Sequence, residues 1–463
     1  MIDRSRRRRL AWAAAFALVF AAGQALLWTA YHANGAKPLI GDEQSYQDFA
    51  LSILAGGSWM PSSIWPPLQS LLLAAIYRVA GTQVLAVQVV QTLLLLGCAL
   101  LLRSIWRKVG GSVAAANLAT ALFLLNPSTA AYAHWLWPEI VHLTLVLAAF
   151  RLLAGEMTRV RALVAGACIG LALLAKSLLA AFWPLFLIAF VRRNPTRLLA
   201  QPAMLFVLGL ALVTAPALWH GWREYGKPMI ADSSVYNLWV GLTDRWRSDY
   251  VADMGGATLP AFLASADTPQ QRNAIYQDKI SALVDERGAV AVFFDQIGRQ
   301  YFRLFSAKTP LLSQLPGPAC AGHLSVYRTP EWLTRTLTMT SDTFHILILA
   351  AAAFGIACWR RRPDRMLWLI ALYAGYQLAL LSVVHVKARF LLPMMPFLCG
   401  FAGSFLVSLR RRGRSDDLLP ENSDVSITPI SMTPASLAAG ALLASLLLFL
   451  AFGGPALDHL CAG

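Results

Sequence analysis

Four short stretches of this chain carry side chains that could do chemistry. Gly41-Asp42-Glu43-Gln44-Ser45-Tyr46 places two adjacent carboxylates at the head of an amphipathic run in which Tyr46, Phe49, Ala50 and Ile53 share one helical face. A carboxyl beside an apolar surface has a raised pKa and can take a proton from a hydroxyl; the competing reading is that Asp42 only caps a helix N-terminus. In His134-Trp135-Leu136-Trp137-Pro138-Glu139-Ile140-Val141-His142, Glu139 and His142 lie three apart and share a helical face at the edge of an apolar segment. Ionisable groups in that position mark a functional candidate, against which stands snorkelling into headgroup water, the reading that suits His134. Lys176 interrupts Gly170-Leu171-Ala172-Leu173-Leu174-Ala175-Lys176-Ser177 and either snorkels or neutralises a phosphate. His385-Val386-Lys387-Ala388-Arg389-Phe390 sets three basic side chains at alternating positions, where an anionic headgroup would fit. Arg389 leads that group because a planar guanidinium binds phosphate through two parallel hydrogen bonds.

The elements that must position these residues are apolar helices. The 463-residue chain is 57% hydrophobic and 14% charged, too apolar for a soluble protein of this length, and about 20 helical residues cross a bilayer core. Its hydropathy places spans near 10–30, 82–102, 112–127, 139–154, 162–176, 178–191, 202–220, 342–359, 366–384, 390–409 and 436–453, which predicts an all-α polytopic membrane protein of about eleven spans. The first is longer than a signal-peptide core and reads as an uncleaved anchor. Between 31 and 81 lies an outer loop whose apolar stretch Trp65 to Ala80 suits a helix dipping into the interface. Residues 1–220 read as a catalytic membrane module, 221–341 as a large outer segment with helices over Gln270 to Glu286 and Val290 to Phe305, and 342–463 as C-terminal spans with a mobile linker at 410–435.

Charge separates the two faces. Arg4 with Arg6 to Arg9, Arg103/Arg107/Lys108, Arg151/Arg159/Arg161, Arg192/Arg193/Arg197, Arg360/Arg361/Arg362/Arg365 and Arg410/Arg411/Arg412/Arg414 hold 22 of the 39 basic residues on one side. Seven acidic residues accompany them, so the net charge of +15 belongs to that side, which the positive-inside rule makes cytoplasmic. The same rule explains the basic balance without nucleic acid, since the Arg groups are short, scattered and not interleaved with aromatics. Asp42, Glu139, Lys176 and Arg389 all fall on the opposite face. Six cysteines show no CxxC pair, and Cys320 with Cys461, both outside the spans, allow one disulfide or none.

At these positions the chain resembles the GT-C glycosyltransferase superfamily, in its protein O-mannosyltransferase and aminoarabinose (lipid A) transferase-like branch. Asp42-Glu43, then Trp65-Pro66-Pro67-Leu68 and Leu71-Leu72-Leu73-Ala74, resemble the branch's acidic motif and its "PPL…LLLA…G" segment. Trp137-Pro138-Glu139 is similar to its second acidic motif, and Gly170-Leu171-Ala172 with Lys176 to its "GLA…TK" segment. Tyr236-Asn237-Leu238-Trp239-Val240-Gly241 resembles "NLWxG", and Arg389-Phe390-Leu391-Leu392-Pro393 with Pro396 resembles "RYxLPxxP". Ala175 departs from the usual Thr, and Leu242-Thr243 from a usual Asn, which touches the sugar and acceptor pockets. The resemblance implies a GT-C-like bundle that transfers a sugar from a polyprenyl-phosphate donor, with inversion, to a membrane-associated acceptor at the outer face of a bacterial cytoplasmic membrane. Asp42, Glu43 and Glu139 would form the acidic site, with room for a divalent cation (Mg2+, Mn2+ or Zn2+) shared by Asp42 and Glu139. Lys176, Arg389, His385 and Lys387 would hold the donor phosphate. Tyr46, His142, Asn237 and Trp239 would contact acceptor or sugar.

Two rival classes remain at this level. A transporter would place its charges near mid-membrane in related halves, and no strong internal repeat is visible. A polymerase or ligase acting on a polyprenyl-diphosphate glycan would rely on outer-face Arg and His rather than on Asp42.

Overall fold

In a computed structural model of the chain, the described residues are 4–191, 200–244, 246–248, 258–307, 314–316, 325–360, 365–412 and 430–458. Among them the structure is helical, without a named strand. The helices are α1 (Arg4–Tyr31), α2 (Asp42–Leu54), α3 (Leu68–Ala80), α4 (Val84–Val109), α5 (Val113–Leu125), α6 (Pro127–Ala131), α7 (Glu139–Leu153), α8 (Arg159–Ala175), α9 (Ala200–Tyr225), α10 (Ser234–Thr243), α11 (Leu259–Leu263), α12 (Pro269–Arg287) and α13 (Ala289–Phe305). Five more follow, over Glu331–Ala357, Arg365–Leu381, Met395–Arg412, Pro434–Phe452 and Gly454–Asp458. The two helices expected in the outer segment are thus α12 and α13. The Cys320 and Cys461 pair and most of the 410–435 linker lie outside the described residues.

The chain is a multi-pass membrane protein, and among the described residues fewer helices than the expected eleven are long enough to cross on their own. Five described helices are long and apolar enough to cross, within Ala13–Tyr31, Val84–Val109, Ala200–Tyr225, Glu331–Ala357 and Pro434–Phe452, and a sixth arises if the pair Val113–Leu125 and Pro127–His134, bent by 60°, counts as one. Hydropathy registers apolar residues and not helical length. At 1.5 Å per residue, the 15 residues of α7 rise about 22 Å and the 17 of α8 about 26 Å, short of a core of about 30 Å. Residues 178–191 are not an α-helix; they wind as 3-10 turns, the second running Trp183–Phe190 with Pro184 in its first turn. The 13-residue α3 is likewise too short to cross.

Close packing of α8 on α9 rests on glycine. A methyl group added at Gly166 would overlap the Phe206 carbonyl, and one at Gly209 the Leu163 carbonyl, so the two backbones touch where side chains would hold them apart. One end of the bundle gathers the basic helix termini: Arg103 donates to Asn117, Arg151 to Ser104, and Arg365 to the Ala189 carbonyl. Glu139 opens α7 and Arg151 lies in its last turn, so the axis of that helix separates this basic end from the carboxylates.

At the other end a buried ion pair anchors the loops. The Lys37 ammonium donates to both Glu43 oxygens at 2.7 Å, both side chains being fully buried. Trp135 lies under Lys37 at 4.4 Å, with Tyr31 and Tyr327 near 6 Å. Burial pushes the Glu43 carboxyl up and the Lys37 amine down, each opposed by the other's charge. Glu43 also accepts the Leu136 N–H at 3.0 Å, which ties α2 to the segment leading into Glu139. Carbonyls of that segment take amide donors from the helices below: Gln88 to His134, Gln91 to Trp135 and Gln69 to Leu136. His134 bonds Gln24 of α1 and is buried, so it does not reach out to headgroup water as expected of it.

Breaking a buried pair by removing one partner costs about 3–5 kcal/mol because it strands the other charge. Lys37→Met is therefore expected to lower the melting temperature of the purified protein sharply, whereas the double variant Lys37→Met/Glu43→Gln, which keeps an acceptor for Leu136, recovers much of the loss; thermal unfolding in detergent reads both.

Candidate active site

Asp42 owes its place to the turn before it. Gly41 adopts φ 56°, a left-handed conformation open to glycine, and starts α2 with Asp42 as its first helical residue. The Asp42 side chain does not cap the helix. It accepts from Arg389 Nη2 at 2.9 Å, so the capping alternative is not the one realised. Glu139 begins α7 immediately after Pro138, and its Oε1 accepts from Lys176 Nζ at 3.1 Å. Arg389 Nε approaches the same oxygen at 3.7 Å. Residues from four separate elements thus form one continuous chain of charge, Asp42 to Arg389 to Glu139 to Lys176.

Aromatic rings frame the cations. The Arg389 guanidinium lies 4.6 Å from the Trp137 ring, and Lys176 Nζ lies 4.6 Å from Phe390. Rings in those positions attract the cations while excluding water from one side of each. Lys176 stands where α8 ends, its N–H still bonded to the Ala172 carbonyl while its own backbone is extended.

Burial alone would raise the Asp42 carboxyl, yet Arg389, Lys387 and Lys176 together outweigh it and hold the group below the usual carboxylate range. Asp42 is accordingly an anion at neutral pH. Its field and that of Glu139 act on the buried Tyr46 hydroxyl, which burial and these charges push well above its ordinary value. Tyr236, from α10, is pushed up to about 12 by burial and then by Asp42. One oxygen of Glu139, Oε2, is buried with no hydrogen-bond partner among the described residues.

Other sequence candidates lie around this core or apart from it. His142 Nδ1 bonds the Ala172 carbonyl at 3.0 Å, and its Nε2 is buried without a partner among the described residues. Glu43 is turned into the Lys37 pair and not toward Asp42. His385 faces a different set: its Nδ1 is 3.3 Å from Arg303 and 3.5 Å from Asp244, which is itself ion-paired to Arg303. Burial drives the His385 imidazole well below its usual value, and Lys387, Arg303 and Arg389 reinforce this, so it is neutral at pH 7. The Asn237 side-chain amide donates to the Ser233 carbonyl just before its own helix, and the Trp239 ring packs on Tyr276 at 5.8 Å.

Sequence reading passed over Lys37, Asp244 and Arg303, and quoted Tyr236 only as part of a motif. A signal existed for Arg303, a charge between Phe302 and Leu304, but its partner Asp244 is 59 residues away in a charged stretch. Gln88 and Gln91 also stood out in principle, as amides three apart within an apolar helix.

A pair of carboxylates that share a divalent cation needs the space between them. Here Arg389 fills it, and among the described residues no group of three or more His, Cys, Asp or Glu side chains is arranged to hold a metal. As arranged, the donor set suits a guanidinium and not a resident metal ion.

No protein-family model matches the chain, and no curated protein matches it. Among solved structures it is similar to ArnT from Cupriavidus metallidurans in the apo state, at 16% identity over 95% of this chain and 89% of that one, with a TM-score of 0.41. It is similar also to the same protein bound to undecaprenyl phosphate, at 14% identity over 94% and 89%, with a TM-score of 0.42.

Proposed function

We propose that this chain is a GT-C-type membrane glycosyltransferase, which transfers a sugar from a polyprenyl-phosphate donor to a lipid, glycan or protein acceptor at the outer face of a cytoplasmic membrane. The observation that carries the reading is the ion-pair chain of Asp42, Arg389, Glu139 and Lys176, assembled from four elements whose motifs resemble that family in order.

In the proposed reaction the acceptor oxygen attacks the anomeric carbon from the face opposite the phosphate, and the bond from that carbon to the phosphate oxygen breaks. The acceptor proton passes to Asp42, and the electron pair leaves with polyprenyl phosphate. Arg389 and Lys176 meet the donor phosphate and neutralise the charge that grows on it as it departs. A bound phosphate competes with the carboxylates for these cations, which frees Asp42 to face the acceptor. The unpartnered Glu139 oxygen is placed to accept a hydroxyl of the sugar or acceptor. Glu43 is assigned to holding α2 rather than to the reaction. A divalent cation between Asp42 and Glu139 would have to displace Arg389, so no step is assigned to one.

The test is release of polyprenyl phosphate from a labelled polyprenyl-phosphate sugar by purified protein supplied with a membrane glycolipid extract. Acceptor-dependent release is expected, with Asp42→Asn lowering kcat by about 10²–10⁴-fold, the usual contribution of a positioned base. Release unchanged in Asp42→Asn would remove Asp42 as base, and no release from any donor tried would sink the proposal in favour of transport or of a ligase using diphosphate-linked glycans.

Because Asp42 is held low, its deprotonated form persists on acidification until the pH falls through that depressed value, and activity that needs the anion persists with it. Removing a neighbouring cation lets burial count for more. Lys387→Met is therefore expected to shift the acid limb of kcat/KM upward relative to wild type, and a limb that does not move would contradict the electrostatic account.

A further inference from the structure

The segment His385 to Arg389 brings Lys387 and Arg389 to the site, and it is secured from behind by a separate arrangement centred on the buried Gln296 and Gln300. His385 N–H donates to the Asn237 carbonyl at 2.8 Å, and Val386 N–H donates to Gln300 Oε1 at 3.1 Å. The amide nitrogen of the same Gln300 donates to the Gly241 carbonyl at 3.2 Å and to Gln296 Oε1 at 2.9 Å, while Gln296 donates to the Gly241 carbonyl at 2.8 Å. Gln300 is entirely inaccessible to solvent. Gly241 has no room for a side chain, since a methyl group there would stand 2.7 Å from His385 N and 2.9 Å from the Val384 carbonyl carbon. Arg303 adds an outer tie by bonding the Trp246 carbonyl at 2.7 Å together with Asp244.

From this arrangement we infer that Gln300 and Gly241 are positioning residues: α10 and α13 of the outer segment act as a brace that fixes the His385–Arg389 strap and, through it, the cations that receive the donor phosphate. The NLW-x-G element of α10 then has a role that is not contact with sugar. Asn237 supplies a main-chain carbonyl, and Gly241 supplies both a carbonyl and the absence of a side chain. Asymmetry within Gln300 suits the task. Its oxygen holds the strap 86 residues on in sequence, and its nitrogen holds α10, so a single uncharged amide sets the spacing between them. The inference rests on the reading of Arg389 as a phosphate-binding residue.

The test measures binding of polyprenyl phosphate alone to the purified full-length protein, by native mass spectrometry, alongside the melting temperature. Three variants accompany the wild type: Gln300→Met, which keeps the volume and loses the amide; Gly241→Ala, which pushes on the strap; and Arg389→Ala. With the amide gone, the strap loses its tie to α13, and binding in Gln300→Met is expected to weaken by about tenfold or more. Gly241→Ala is expected to weaken it in the same direction, and it serves on its own should Gln300→Met fail to accumulate as folded protein. In the transfer assay the donor KM should rise in both while the acceptor KM stays put. Wild-type affinity in both brace variants, with Arg389→Ala impaired, would overturn the brace and leave the site reading intact. Weakened binding that tracks a fall in melting temperature, with donor and acceptor parameters damaged alike, would also overturn it, as general loss of structure. A wild-type protein that does not bind polyprenyl phosphate would remove the site reading and the brace together.

Discussion

Charges packed among apolar helices must be neutralised by one another, and this requirement organises the site end of the molecule. Two carboxylates and two cations, Asp42, Glu139, Lys176 and Arg389, come from elements far apart in sequence, and none is tolerable in that position without the others. Their sum is zero, which allows burial. On the proposed reading, an arriving phosphate would add a negative charge the quartet does not balance alone, and Lys387, whose field already reaches Asp42, is the further cation in the strap. Neutrality at rest and a surplus of cations nearby are what a site needs if an anion is to enter, react and leave.

Around this quartet the protein fixes loops by their main chains. Glu43 holds Leu136, three glutamine amides hold the carbonyls of residues 134–136, and Asn237 and Gln300 hold successive N–H groups of the strap. Irregular backbone near membrane depth needs such partners, because lipid offers none. The helices below contribute length rather than chemistry. Where α7 and α8 stop short of a full crossing, Glu139 and Lys176 stand at their ends.

The central quartet was legible in sequence because an ionisable residue is conspicuous in an apolar chain, and because counting Arg and Lys assigns each loop to a face. That argument brought Asp42, Glu139, Lys176 and Arg389 together without any contact being known. It did not separate Asp42 from Glu43. Adjacent residues on a helix point about 100° apart, so one faces Arg389 and the other Lys37, and the aromatic cage that stabilises Lys37 draws on Tyr31, Trp135 and Tyr327 from three distant places. The same limit hid the pairing of His385 with Asp244 and Arg303. The lengths of the helices were less legible. Residues 178–191 are apolar enough for a helix, but hydropathy carries no record of the tight turns around Trp183-Pro184, nor of helices too short to cross.

The most direct measurement is a cryo-electron microscopy map of the protein with a non-transferable polyprenyl-phosphate sugar analogue bound. The account predicts phosphate density between the Lys176 ammonium and the Arg389 guanidinium, with the Asp42 carboxylate released from Arg389 and facing the anomeric carbon. Phosphate density elsewhere, with the Asp42 to Arg389 pair and the Glu139 to Lys176 pair both intact, would contradict it.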